Sequence, residues 1–235
     1  MAHWKTVLDS AASVSMICAS AALLWITVGR PTVPRAPTSA AAGVENVEST
    51  KWRLPAAGFL GTRPPQARVV LVEFSDFQCP FCQRYSRDTF PLVKRAFVDS
   101  GKIAYIFRNN PLDAIHPLAR TLAVAAMCAG DQGRFWEVHQ LFFGDPGRLP
   151  PSISDLTKRL SLDPTRYTEC LKAAPAQLQN EEAANKELGI GSTPTFLLGE
   201  FTSDDTILVR RRINGAQPFE TFKKSIEEAV TNPAQ

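Results

Sequence analysis

Two cysteines separated by two residues stand at the seam between a strand-like run and a helix-like one, and that placement limits the folds open to the chain. Arg68 to Phe77, RVVLVEFSDF, is rich in β-branched and apolar residues and has the length of a buried parallel strand. After Gln78 come Cys79, Pro80, Phe81 and Cys82, then a segment whose apolar Tyr85, Phe90, Val93, Ala96 and Phe97 recur at near-helical spacing. Pro91 is expected to kink that helix. Lys102 to Phe107, KIAYIF, reads as a second strand. Strand, helix and strand within about forty residues make one βαβ unit, with the cysteine pair at the start of its helix.

That position has chemical consequences. A cysteine at the first turn of a helix meets free backbone N–H groups and the positive end of the helix dipole, so its thiolate is favoured over its thiol. Cys79 is therefore expected to be acidic. Cys82 lies one turn further in on the same side and can close a disulfide with it. Pro80 suits the first helical position, since it has no N–H to leave unpaired and its φ is already helical. The other reading of such a pair is half a zinc site, which needs two more ligands. No second pair follows, and His3, His116 and His139 are isolated. No metal or other cofactor is expected, and His116 and His139 read as helix-start or surface residues.

Beyond Asn110 the pattern is helical for about 75 residues. Helices are expected over His116–Ala129, Gly133–Phe143, Ser152–Leu160 and from about Thr165 to Leu188, with Gly189 stopping the last. Cys128 and Cys170 sit in two different helices of this block. In an oxidising compartment they would pair, and otherwise they pack as buried free thiols. After Gly189 the chain reads as strand (IGSTPTFLLGE), polar turn, strand (TILVRRRING) and a closing helix with Phe219, Phe222, Ile226 and Val230 as its buried stripe. Arg210, Arg211 and Arg212 are expected on a solvated strand edge, with contact to anionic lipid headgroups as a weaker alternative. Pro194 precedes the first of these strands. It could be an ordinary trans residue at a strand start, or a cis residue that exposes the backbone of Thr193 to an extended peptide.

The N-terminal part differs in character. Ala11 to Val28 is an eighteen-residue run without a charge, long enough to span a bilayer and also open to reading as a cleaved signal segment. Cys18 within it reads as an apolar filler. From Arg30 onward, proline, alanine, serine and threonine dominate without a hydrophobic period, as in a tether. The resulting division is 1–30 as membrane anchor or signal, 31–60 as tether, 61–112 as the first half of an α/β domain, 113–188 as a helical insertion and 189–235 as the second half. Twenty-six basic residues against 23 acidic ones give no electrostatic case for nucleic acid.

Taken in order, EFSDFQCPFCQRY, RNNPL with HPLAR and CAGDQGRFWEVHQLFF, GSTPTF and INGAQPFETF resemble the DsbA-like thiol-disulfide oxidoreductases of the thioredoxin superfamily over about residues 58–231. The resemblance implies a thioredoxin fold interrupted by a helical domain, an exported location and a cis Pro194 beside the dithiol. It implies Cys79 and Cys82 as the redox pair, with Pro80 and Phe81 tuning it, and Thr193 and Pro194 as the substrate-binding backbone. It also points to Glu73, six residues before Cys79, as the carboxylate handling the proton of Cys82; a solvent-facing edge position is the plain alternative. The implied partners are thiol-bearing exported proteins and a membrane redox partner, either a quinone-linked oxidase or an electron-donating reductase, with the chain itself monomeric. Strong oxidants of the family carry histidine where this chain has Phe81, so a less oxidising couple is expected and a reductase or isomerase role stays open. A non-catalytic chaperone or metal-binding module on the same fold is the alternative from a different class.

Overall fold

The computed structural model describes residues 43–53, 60–144, 152–202 and 206–232. The segment expected to be an anchor or signal, 1–30, and the parts of the expected tether outside 43–53 and residue 60 lie outside the described residues. Among the described residues no helix is long and apolar enough to cross a membrane.

The strand expected before the cysteine pair is Val69–Ser75, and all seven of its residues are buried. A strand flanked on both edges and covered on both faces has no use for polar alternation, which explains its near-continuous apolar sequence. With Gly43–Arg53 as β1, Leu60–Thr62 as β2 and Val69–Ser75 as β3, the remaining strands are β4 (Ile103–Asn109), β5 (Thr195–Phe201) and β6 (Thr206–Asn214). The sheet order is β1-β6-β5-β3-β4-β2. Among the described strands, β3 and β4 run parallel, joined by the helix that starts at the cysteine pair, and the other pairings are antiparallel.

Two expectations about the sheet change. Gly43–Arg53 lies inside the stretch read as tether, yet it pairs with β6 from Gly43 opposite Asn214 to Arg53 opposite Thr206. Its sequence, GVENVESTKWR, lacks a hydrophobic period, so its strand character comes from the partner edge rather than from its own pattern. As a consequence β6 is an interior strand and its arginines do not form a bare edge. Arg211 pairs with Glu228 of the closing helix at 2.5 Å, Arg210 approaches Glu200 at 3.7 Å, and Arg212 donates to the carbonyl of Leu188.

The helix after the cysteines, α1, is a continuous run of four pieces: α-helical Pro80–Arg84, π-helical Tyr85–Thr89, α-helical Phe90–Val93 and π-helical Lys94–Val98. Pro91, the residue expected to kink this helix, follows directly on a widened turn. Proline cannot donate to the carbonyl four residues back, and the π stretch, closed by the Phe90 N–H on the Tyr85 carbonyl, gives its ring room. The helical insertion contains α2 (Ala119–Gly130), α3 (Phe135–Gly144), α4 (Ile153–Leu160) and α5 (Pro164–Glu187). Ser152 caps α4 by accepting from the Asp155 N–H, and Asp163 caps α5 through Thr165 and Arg166. Gly189 ends the α5 region at φ +65°, where a side chain would be strained. The closing helix α6 is Phe219–Thr231. It buries Phe222 and Ile226, with Phe219 only partly covered, whereas Val230, expected in its stripe, is exposed at the last turn.

One face of the sheet carries Val69, Leu71, Tyr105, Phe196 and Leu198 against α1 and α6, through Tyr85, Phe90, Phe97, Phe222 and Ile226. The other carries Val70, Val72, Phe74, Ile106 and Ile207, together with Ile190 from the end of the insertion. The insertion has its own core, which extends to Phe77, Cys79, Cys82 and Phe107. It is tied to the sheet by a buried Arg108–Glu181 ion pair and by Asn185 donating to the Asn109 carbonyl at 2.8 Å. Cys128 of α2 and Cys170 of α5 are joined by a disulfide across 42 positions.

Candidate active site

The site begins with the end of β3. A turn over 76–79 is closed by the Cys79 N–H on the Asp76 carbonyl at 3.0 Å, and Cys79 becomes the residue that caps α1, with extended backbone angles and Pro80 at the first helical position. The Gln83 N–H donates to the Cys79 carbonyl, so the helix starts at the dipeptide between the cysteines. Both cysteines are free thiols. Their surroundings differ. Cys79 is 4% exposed and Cys82 is fully buried.

The difference appears in their acidities. A hydrogen bond from Cys82, opposed by burial and aided by Thr193 and the N–H groups of Cys82 and Phe81, lowers the Cys79 pKa to about 6. Burial first, then the neighbouring Cys79 sulfur, pushes the Cys82 thiol well above its ordinary value. One sulfur is thus held ready as a thiolate and the other as a thiol.

Across from the pair, the Thr193–Pro194 peptide is cis. The Cys79 sulfur lies 3.4 Å from the Thr193 carbonyl oxygen, 114 residues away in sequence. The Thr193 hydroxyl is buried without a regular hydrogen-bond partner and stands beside the same sulfur. The Pro194 carbonyl is held from behind by the Gly215 N–H at 2.8 Å, and Thr195 donates to the Ser192 carbonyl at 2.7 Å. These bonds fix the 192–195 backbone against the dithiol.

Glu73 is fully buried below the pair and is not at a solvent edge. Its Oε2 accepts from the Tyr105 hydroxyl at 2.5 Å, and Tyr105 also reaches the Tyr85 hydroxyl at 3.3 Å. Burial raises its pKa to about 7 despite those bonds. A carboxyl near neutrality next to a thiol that must lose its proton can act as general base and general acid in turn.

Several residues of the site carry no sequence signal. Asp76 is buried beneath the turn, where Oδ1 accepts from the Gln78 N–H at 2.7 Å and Oδ2 from the Leu112 N–H at 2.9 Å and faces His116 Nδ1 at 2.7 Å. Gln78 in turn accepts from the Leu118 N–H. His116, read as isolated, therefore clamps the cysteine turn to the loop before α2. Only the three-dimensional return of that loop brings these groups together, and spacing along the chain does not encode it. His139, read as a surface residue, is buried instead among Phe77, Phe107, Phe135, Trp136 and Phe143. Phe81 is 54% exposed beside the dithiol, with the Arg84 guanidinium 5.1 Å from its ring centre. Among the described residues no three His, Cys, Asp or Glu side chains gather as a metal-holding group.

The chain shares 36% identity over 138 residues with a Na(+)/H(+) antiporter NhaA 1 of Salinispora arenicola, covering 57% of this chain and 21% of that protein. It is 27% identical over 143 residues to Disulfide bond formation protein D of Bacillus subtilis, covering 57% of this chain and 64% of that one. The chain thus spans about a fifth of the first relative's length and less than two thirds of the second's. Among solved structures, Wolbachia pipientis alpha-DsbA1 superposes with a TM-score of 0.63 at 22% identity, covering 77% of this chain and 94% of that one, which establishes the shared fold. A family model described as thioredoxin matches residues 61–228, from β2 through most of α6, and the chain belongs to that family.

Proposed function

We propose that this chain is an extracytoplasmic thiol-disulfide oxidoreductase that introduces or exchanges disulfides in exported proteins through Cys79 and Cys82. The split between the two sulfurs carries the reading: Cys79 acidic at a helix start beside the cis Thr193–Pro194 peptide, and Cys82 buried and held as a thiol. In the oxidising direction a substrate thiolate attacks the Cys79 sulfur of the Cys79–Cys82 disulfide, and Cys82 leaves. A second substrate thiolate then attacks the substrate sulfur of the mixed disulfide. Cys79 leaves as the stabilised thiolate, the substrate is oxidised and the dithiol is reduced. Glu73 exchanges the proton of Cys82. Thr193 and Pro194 hold the substrate as an added extended strand through main-chain contacts, which tolerates many sequences.

The Cys128–Cys170 bridge supports a location outside the cytoplasm, where such bonds persist. On sequence grounds alone, the apolar run at 11–28 serves as the anchor to the cytoplasmic membrane, and a membrane redox partner restores the Cys79–Cys82 disulfide of a monomeric chain. Phe81 favours a second reading, that of a reductase or isomerase. It offers the thiolate neither a charge nor a hydrogen bond, so the reduced form gains less than it does beside a histidine.

A Cys82→Ser variant should accumulate mixed disulfides with thiol-bearing exported proteins through Cys79, as read by mass spectrometry after alkylation. Adducts running through Cys128 or Cys170, or none at all, would contradict the assignment.

A further inference from the structure

Beneath the dithiol, two buried polar atoms have no regular hydrogen-bond partner: Glu73 Oε1 and Ser75 Oγ. They stand two residues apart on β3 and therefore on the same face, the one covered by α1. Leaving a polar atom unpaired in a buried site is unfavourable, so the proximity of two calls for an account. The other carboxylate oxygen is already taken by Tyr105.

We propose that the Ser75 hydroxyl carries the proton between the Cys82 thiol and Glu73 Oε1. Ser75 is the hydroxyl that neighbours both groups and acts on each, while in this structure its Oγ makes a regular hydrogen bond to neither, and Glu73 acts on Cys82 as a charge. The Ser75 hydroxyl, unpaired in this structure, is free to turn toward either group, and a hydroxyl can accept one proton while donating another. Cys82 is fully buried, and Ser75 is nearly so, so bulk water does not offer the shorter path. The ionisable groups facing this space are Cys79, Cys82 and Tyr85 from α1 and Tyr105 from β4; β5 and α6 contribute Phe196 and Phe222, which carry no charge.

The inference deepens the exchange reading given above and rests on it. In the resolving step, Cys82 gives its proton to Ser75 Oγ as Ser75 passes its own to Glu73 Oε1. The Cys82 thiolate then attacks the Cys79 sulfur of a mixed disulfide. A Cys79–Cys82 bond forms, the bond from Cys79 to the substrate sulfur breaks, and the substrate leaves as thiolate with the electron pair. The mixed disulfide is itself the oxidant.

The test uses the reduced full chain carrying Cys18→Ala, treated with the aromatic disulfide dithiobis-nitrobenzoate. Cys79 releases one thionitrobenzoate in a first phase, and Cys82 releases the second by resolving the mixed disulfide. Ser75→Ala should leave the first phase within about twofold and slow the second about tenfold or more near neutral pH, toward the lower range of proton-transfer catalysis. The two rates should converge in alkali, where hydroxide removes the proton. A Glu73→Gln, Ser75→Ala double variant should be no slower than Glu73→Gln alone, because the two groups act in series. The wild-type second phase should show a bowed proton inventory in mixed light and heavy water, two protons being in flight.

A wild-type second phase in Ser75→Ala, a loss independent of pH, multiplying effects in the double variant, or a straight proton inventory in the wild type would each overturn the relay. The inventory needs no variant, so it decides the matter even where alanine disturbs folding. The reagent is not a protein substrate. Failure of Cys82→Ser to trap exported proteins would remove the exchange reading without touching this result.

Discussion

At the scale of single residues, the site works by making two chemically equal thiols unequal. Cys79 gains from being the residue before a helix and from its neighbours on three sides, while Cys82 loses by burial. The one side chain placed to adjust this without contributing is Phe81, which projects into solvent beside the pair. Phe81→His is expected to lower the Cys79 pKa by about one unit and to raise the reduction potential by about 30 mV, since one unit is about 1.4 kcal/mol for this couple. Thiolate absorbance against pH and equilibration with a glutathione buffer read the two quantities. A lowered pKa with an unmoved potential would show that the thiolate is not what sets the couple. The residues of the site differ in how far the sequence exposes them. Cys79, Pro80 and Cys82 are legible because their chemistry depends on neighbours three positions away. Ser75, Asp76 and Tyr105 are not, because their roles arise only when β3, β4 and the loop before α2 converge.

At the scale of elements, local pattern identified the helices and most strands, while the short β2 at Leu60–Thr62 carried no signal of its own. β3, β4 and α2 to α6 lie within a few residues of where periodicity places them. The exceptions depend on partners. β1 forms only because β6 offers an edge, and α1 stays continuous through Pro91 only by widening its turns. The seam between α3 and the sheet shows the cost of such dependence. His139 occupies an aromatic cage with its Nε2 buried and unpaired, and burial lowers its pKa to about 3. Against an ordinary value near 6.5, the unfolded chain takes up this proton first as pH falls. The seam is therefore fully stable above about pH 6.5 and loses stability down to about pH 3, by at most about 4 to 5 kcal/mol. His139→Phe should flatten that loss. Urea unfolding at pH 7 and pH 4 should show a larger difference for the wild type than for the variant, and equal differences would mean that the imidazole is reached by water.

At the scale of the whole molecule, a six-stranded sheet carries the reactive turn and a helical insertion closes over it, with the buried Arg108–Glu181 pair and Trp136 Nε1 donating to Thr62 at 3.1 Å joining the two. The disulfide between α2 and α5 shortens the unfolded chain's freedom across 42 positions, which in the chain-entropy account is worth about 4 kcal/mol. Replacing Cys128 and Cys170 together by alanine should lower the urea midpoint accordingly, yet leave the Cys79 pKa in place, since none of the groups that set it belongs to the bridge. A shifted Cys79 pKa would show the insertion to be part of the redox apparatus rather than a cover for it. The order of the pieces was legible from periodicity and their arrangement as an interrupted fold from the family resemblance, whereas the contact surfaces between them were not, because each is built from residues far apart in the chain.

The proposed role requires the Cys79–Cys82 pair to be a reversible couple that accepts electrons from exported thiols, and the reduction potential of the full chain in glutathione buffers decides it. A value between those of thioredoxin, about −270 mV, and a strong periplasmic oxidant, about −120 mV, is expected for a stabilised Cys79 thiolate without a histidine beside it. A potential at or below that of thioredoxin would contradict the oxidising role.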